Sequence, residues 1–215
     1  MVKKQLIMDK ALELFAEQGF EATSVQQITE RCGISKGAFY LSFKSKEELI
    51  FALIDSFMMQ FVGGIDQSVK ECSQVEEKLY NFYHYILAAF LKNTTQAKIF
   101  LQEQSLSLNE ELFKKLKYYD NKVNEIIYKL IEDVYPSLPK ERKYELIIYI
   151  KSFTKIFPEI CLQDQIPIDL KKLTISMVEK TNIIAQHSKE TFVTDEIIQA
   201  SPSSMKMSKN KFSLY

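Results

Sequence analysis

The chain has no tryptophan, two histidines, three cysteines and only five glycines and five prolines in 215 residues. Each scarcity removes a class of chemistry. His84 and His187 fall in different predicted helices, so no HExxH pair exists. Cys32, Cys72 and Cys161 form no CxxC, and no carboxylates cluster at ligand spacing, so no metal site is expected. All five glycines (19, 33, 37, 63 and 64) lie in the first 64 residues. None of them forms the glycine-rich loop that cradles phosphates. An odd set of unpaired cysteines without a signal-peptide pattern fits a reducing cytoplasm. No window is read as apolar over the length of a membrane span, so no membrane partner is expected. Lys+Arg and Asp+Glu balance at 28 each. With no global basic field, any binding to a polyanion must rest on a local patch and depend steeply on salt. Neither an enzyme nor a cofactor is expected. His84, between Tyr83 and Tyr85, reads as a packed or solvent-facing helix residue.

What is present is concentrated between Ser24 and Lys46, SVQQITERCGISKGAFYLSFKSK. Ser24 can cap a helix, with Gln27 completing a capping box, and Val25, Ile28 and Cys32 recur at helical spacing. Gly33 stops that helix, because glycine takes the left-handed conformation without a Cβ penalty. Ile34 is a single apolar residue that pins the turn. Ser35 can cap a second short helix whose apolar side is Phe39 and Phe43. Ser45 opens a third, with Glu48 closing another box. Two short helices about a tight turn are helix-turn-helix grammar. From Arg31 to Lys46 there are four basic residues (Arg31, Lys36, Lys44, Lys46) and no acidic one. Small residues at the start of the second helix let the backbone approach a groove wall, while Lys36 and Tyr40 reach outward.

Ala11, Leu14, Phe15, Gly19, Phe20, Thr23 to Ile28 and then GISKGAFYLSFKSKEEL resemble the N-terminal domain of TetR-family one-component transcriptional regulators. The resemblance covers roughly the first quarter of the chain. One departure is plain: where the family commonly has further Tyr or His positions after Phe39-Tyr40, this chain has Leu41 and Ser42. The resemblance implies a homodimeric, ligand-responsive regulator, most simply a repressor, on double-stranded DNA with a palindromic operator. Lys36, Gly37, Ala38 and Tyr40 would meet the major groove. Ser24, Gln26, Ser35 and Lys46 would position the head on the backbone, with Lys44 in a lesser part. The competing reading is a DNA-binding protein without a small-molecule effector, acting architecturally or through a protein partner.

The remainder reads as all-α. Val2 to Gln18 is a first helix with a stripe of Ile7, Ala11, Leu14 and Phe15; its Lys3 and Lys4 either face solvent or reach DNA. The fourth helix runs from Ser45 either to Gly63-Gly64 or past them, with Leu49, Leu53, Phe57 and Phe61 four apart. The glycine pair is either a kink, a helix end or a point of close packing. Further helices are expected from the Ser73/Glu76 box to about Lys92, from Ala97 to Leu108, from Asn109 to Tyr135, from Pro139 to about Phe157 before Pro158, and from Asp169 to about Gln186. The architecture is an N-terminal three-helix helix-turn-helix domain (1–46), a larger helical ligand-binding and dimerisation domain (47–188), and a polar tail (189–215). For a cavity holding a small hydrophobic ligand, the candidates are Tyr83, Phe90, Phe100, Tyr118, Ile127 and Tyr128. Glu103 is either a partner for a cationic guest or water-facing. For a dimer face of the last two helices, as in similar regulators, they are Tyr144, Ile148, Lys151, Leu173, Met177 and Ile184. For both sets plain core is the alternative reading.

Overall fold

A computed structural model describes residues 2–99, 110–162 and 167–200. Among the described residues every regular element is a helix: α1 (Val2–Gln18), α2 (Val25–Cys32), α3 (Lys36–Tyr40), α4 (Lys46–Lys70), α5 (Val75–Lys92), α6 (94–99), α7 (Glu110–Val134), α8 (Lys140–Cys161), α9 (Leu170–His187) and α10 (Asp195–Ala200). The chain divides into two compact units, Met1–Met59 with Asn93–Leu112, and Gln60–Lys92 with Phe113–Tyr215.

In the first unit the predicted stripe of α1 is buried as a row, with Ile7, Ala11, Leu14 and Phe15 all at 4% exposure or less. It meets α2, where Ile28 is fully buried. Val25 and Cys32, on the same predicted face, are half-buried. Phe39 and Phe43 close the core with Leu49 and Ile50 of α4. Two ionic contacts lock the helices beyond this apolar packing. Arg31 of α2 forms a two-pronged bond to Glu17 of α1, at 2.9 and 2.7 Å. That pairing holds the Glu17 carboxyl below its ordinary pKa and the guanidinium above its own. Lys46, at the start of α4, turns inward: Nζ donates to the Phe20 carbonyl at 2.6 Å and lies 4.0 Å from the Phe20 ring centroid.

Helix α4 runs through Gly63-Gly64 without a break, because two adjacent rows (Leu49, Leu53, Phe57, Phe61 and Ile50, Ile54, Met58, Val62) are buried along it. Their burial outweighs the roughly 1 kcal/mol of propensity that each glycine costs. Gly64 has a packing role: a Cβ there would collide with Oη and Cζ of Tyr85 and lie 2.9 Å from its Cε2. Gly63 has nothing within 4 Å of the same position. Contrary to the sequence reading, α4 is long and apolar enough to cross a membrane by length and composition alone. Half of that window is buried inside the protein, and the two rows above account for its apolarity as core.

In the second unit α5 packs on α8 and α9. It begins at Val75, later than the Ser73 box predicts. Helix α8 passes through Pro158 to Cys161, where the sequence reading ends it at Phe157. A proline in the last turn costs only one interior hydrogen bond, and Pro158 is buried. Helix α9 starts at its predicted cap, the Asp169 carboxylate accepting from the Lys172 N–H at 3.0 Å. Beyond α9 the chain continues along α8. Val193 is 2% exposed, the Phe192 N–H donates to Glu145 Oε1 at 3.3 Å, and Lys140 pairs with Asp195 at 2.6 Å. Residues 201–215 of the expected tail lie outside the described residues.

Candidate nucleic-acid interface

The head is built on caps. Ser24 Oγ accepts from the Gln27 N–H at 3.2 Å while Gln27 Oε1 accepts from the Ser24 N–H at 2.8 Å, a complete capping box on α2. Gly33 stands at φ 65° and ψ 34°. Its N–H bonds Glu30 O, and the Ile34 N–H bonds Thr29 O, a Schellman stop that turns the chain sharply into α3. Ser35 Oγ then accepts from the Ala38 N–H at 3.2 Å. The result is a five-residue helix presented at a fixed angle to α2, its inner side anchored by buried Phe39.

On its outer side Lys36 and Gly37 are exposed, Ala38 is half-buried, and Tyr40 is 52% exposed with its ring edge-on to Phe39 at 5.4 Å. Gly37 is not demanded by the fold, since a Cβ there would meet only Ser35 Oγ at 3.8 Å. Ser24, Gln26, Ser35 and Lys44 are all exposed. Lys46 is half-buried, and burial lowers its ammonium pKa. Its charge is already held by Phe20, a geometry different from the outward reach expected of it. Arg31, counted in the basic run, is occupied by Glu17 and Glu13. Lys4 lies over the Phe43 ring at 4.9 Å. What the sequence reading missed is a link on the exposed face. Lys36 Nζ donates to Gln26 Oε1 at 3.3 Å, and Gln26 Nε2 donates to Glu30 Oε1 at 2.9 Å. The four-residue spacing of Gln26 and Glu30 was the one signal available for it.

Short capped helices with exposed Lys, Gly and Tyr at the second helix's start suit a major groove. The family model for bacterial regulatory proteins of the tetR family matches residues 7–53. Residues 7–53 thus form a TetR-family N-terminal domain. Among curated relatives, it is 43% identical over 77 residues to the uncharacterized HTH-type transcriptional regulator YerO of Bacillus subtilis, covering 36% of this chain and 24% of that one. It is 29% identical over 128 residues to the fatty acid metabolism regulator protein of the same organism, covering 58% and 66%. The chain thus spans less than two thirds of the length of these relatives. Among solved structures, FadR of Bacillus subtilis in complex with stearoyl-CoA matches with a TM-score of 0.68 at 22% identity, over 86% of this chain and 99% of that one. At that identity the likeness is one of fold. The TetR-family head and a larger helical domain are therefore the architecture of this chain.

The two sets expected in the larger helical domain stand in varied surroundings. Tyr83 is fully buried, and its hydroxyl is spent at 2.7 Å on Thr181 Oγ1. Thr181 itself donates to Met177 O, so Tyr83 is the donor in the pair. Phe90 packs edge-on against Phe61, Ile127 is fully buried, Tyr128 is tilted against Tyr144, and Tyr118 is 56% exposed. Phe100 and Glu103 lie outside the described residues. A groove of about 190 Å³ in the second unit is lined by Val69, Ile126 and Leu130 with charged neighbours such as Lys78 and Asp133; none of the five described pocket candidates lines it. Of the dimer candidates, Met177 and Tyr144 are buried within the protomer, and Lys151 pairs with Asp120 at 2.6 Å. Ile148, Leu173 and Ile184 are half-buried. The large apolar side chains left exposed on the same two helices are Tyr149 and Ile156 of α8 and Ile175 and Ile183 of α9.

Proposed function

We propose that this chain is a homodimeric, sequence-specific DNA-binding repressor, released from its operator by a small hydrophobic ligand. The observation that carries the reading is the exposed start of α3, where Lys36 and Tyr40 flank a glycine that nothing inside the protein requires. Close approach of a groove wall explains such a glycine. Lys36, Gly37, Ala38 and Tyr40 meet base edges; Ser24, Gln26, Ser35 and Lys44 hold phosphates. Lys46 serves the same head from within, fixing the first turn of α4 to the α1–α2 connection. The domain division at residues 46 and 188 follows the same reading, with α4 as the covalent link along which a ligand's effect reaches the head.

Dimerisation through α8 and α9 is supported by their exposed apolar residues Tyr149, Ile156, Ile175 and Ile183, which one protomer alone leaves in water. One small head buries too little surface for useful specificity, so two are needed. A hydrophobic effector is supported by the aromatic interior of the second unit and by the fold it shares with a regulator that binds stearoyl-CoA. In this reading the protein acts in the cytoplasm, and by binding rather than by catalysis.

The test is selection from a random duplex library, followed by titration of the winner and a scrambled duplex at two salt concentrations. Specific binding, with two protomers per site and a steep loss with salt, is expected. Lys36→Ala should cost about 1–3 kcal/mol and change the preferred base at one position. Equal affinity for all duplexes would overturn sequence reading in favour of an architectural role.

A further inference from the structure

The exposed face of the head carries an acidic residue where a polyanion is to bind. Glu30, on α2, stands one turn from Gln26 and accepts from its Nε2 at 2.9 Å. The other end of the same amide, Oε1, accepts from Lys36 Nζ at 3.3 Å across the turn. The chain of three has only one workable orientation. Flipping the Gln26 amide would set its NH₂ against the ammonium and its oxygen against the carboxylate. Lys36 also occupies the first turn of α3, at the positive end of the helix dipole, where a cation gains nothing from the helix. Something other than helix stability holds it there, and the Gln26 carbonyl oxygen is the acceptor that does.

We infer that Glu30 is a positioning residue for DNA specificity: it orders the Gln26 amide, which holds the Lys36 ammonium over the start of α3, so that Lys36 meets its base edge from one fixed direction. The inference rests on the DNA-reading proposal above. Simple electrostatics makes the opposite forecast, since deleting a carboxylate near phosphates tightens binding to every sequence alike. A flexible lysine without a tether also meets phosphates and bases indiscriminately, which is what the tether prevents.

The experiment uses the full chain. Wild type, Glu30→Ala, Glu30→Gln and Lys36→Ala are each put through the random-duplex selection, and affinities are then measured on the wild-type winner and its single-base variants at one salt concentration. At the base pair where Lys36→Ala loses discrimination, Glu30→Ala is expected to lose about fivefold or more, the lower end of what one side-chain–base contact supplies. Glu30→Gln, which keeps an acceptor oxygen, should retain most of the discrimination. The double variant Glu30→Ala/Lys36→Ala should discriminate no worse than Lys36→Ala alone, because the two act through one contact. If Glu30→Ala tightens or weakens all duplexes by the same factor, the residue is a bystander charge or a fold element, and the inference fails while DNA reading stands. If wild type selects no sequence, the DNA-reading proposal fails and takes this inference with it.

Discussion

The glycine pair in α4 offers a measurement in which neighbouring, chemically identical substitutions should have unequal effects. Gly63→Ala places a methyl where nothing lies within 4 Å, on an exposed position of a continuous helix. The expected result is a gain of about 0.5–1 kcal/mol from reduced backbone entropy in the unfolded chain. Gly64→Ala earns the same entropy but drives its methyl into the Tyr85 ring. That ring is not free to swing away without cost: it lies 6.4 Å from the Phe61 ring, and burial raises its hydroxyl pKa. Overpacking of this kind costs about 1–3 kcal/mol, so Gly64→Ala should come out roughly neutral to 2 kcal/mol less stable. The two variants should then differ by about 1–3 kcal/mol, equivalent to several degrees in midpoint for a chain of this size. Thermal and urea unfolding followed by circular dichroism, on the variants side by side, reads the difference. Adding Tyr85→Ala to Gly64→Ala should recover part of the loss, with a favourable coupling of about 0.5 kcal/mol or more. Equal stabilisation by both alanines would refute the packing argument and return the pair to the status of interchangeable helix residues.

Alkaline pH should destabilise the second unit through two tyrosines. Burial raises the Tyr83 pKa well above 10 and pushes Tyr135 up to about 12. Protonated in the folded state and ionised in the unfolded one, they contribute stability that is complete below about pH 10 and lost as pH rises through the folded values. Unfolding midpoints measured from pH 8 to 11.5 should fall, and fall less in Tyr135→Phe; an unchanged slope in that variant would remove Tyr135 from the account. Tyr83→Phe should cost about 1 kcal/mol at pH 7, since it deletes a buried donor whose acceptor Thr181 Oγ1 remains bonded to Met177 O. Lys46→Met should lower the stability of the first unit while leaving the salt dependence of DNA binding unchanged. A slope smaller by about one counterion would instead assign Lys46 to a phosphate.

Local signals carried much of the head. Ser24 with Gln27, Gly33, and Ser35 each act within three or four residues, and each determines where a helix begins or ends by hydrogen bonds to its own neighbourhood. The same was true of Asp169 at α9. Signals failed where a distant partner decides. Arg31 reads as a free cation until α1 supplies Glu17, and Lys46 reads as outward-facing until Phe20 is found 26 positions away. Gly63-Gly64 leave kink, helix end and close packing open, and Pro158 reads as a helix stop, because propensity is local, whereas the rows buried along α4 and the burial of Pro158 are not. Tyr144 and Met177 share a helix with exposed Tyr149 and Ile175 respectively. Periodicity finds an apolar stripe on either side of such a helix; it does not say which side the protomer keeps for itself.

Thr181 and Asn182, adjacent on α9, bond to different helices: Thr181 to Tyr83 of α5, and Asn182 to the hydroxyl of Tyr135, just past the end of α7, at 2.5 Å. Consecutive residues of a helix point about 100° apart, so α9 is keyed from two sides. It cannot roll about its own axis without shearing both keys at once. Torque applied to its outer surface is therefore resisted at two points, one on α5 and one at the residue that follows α7.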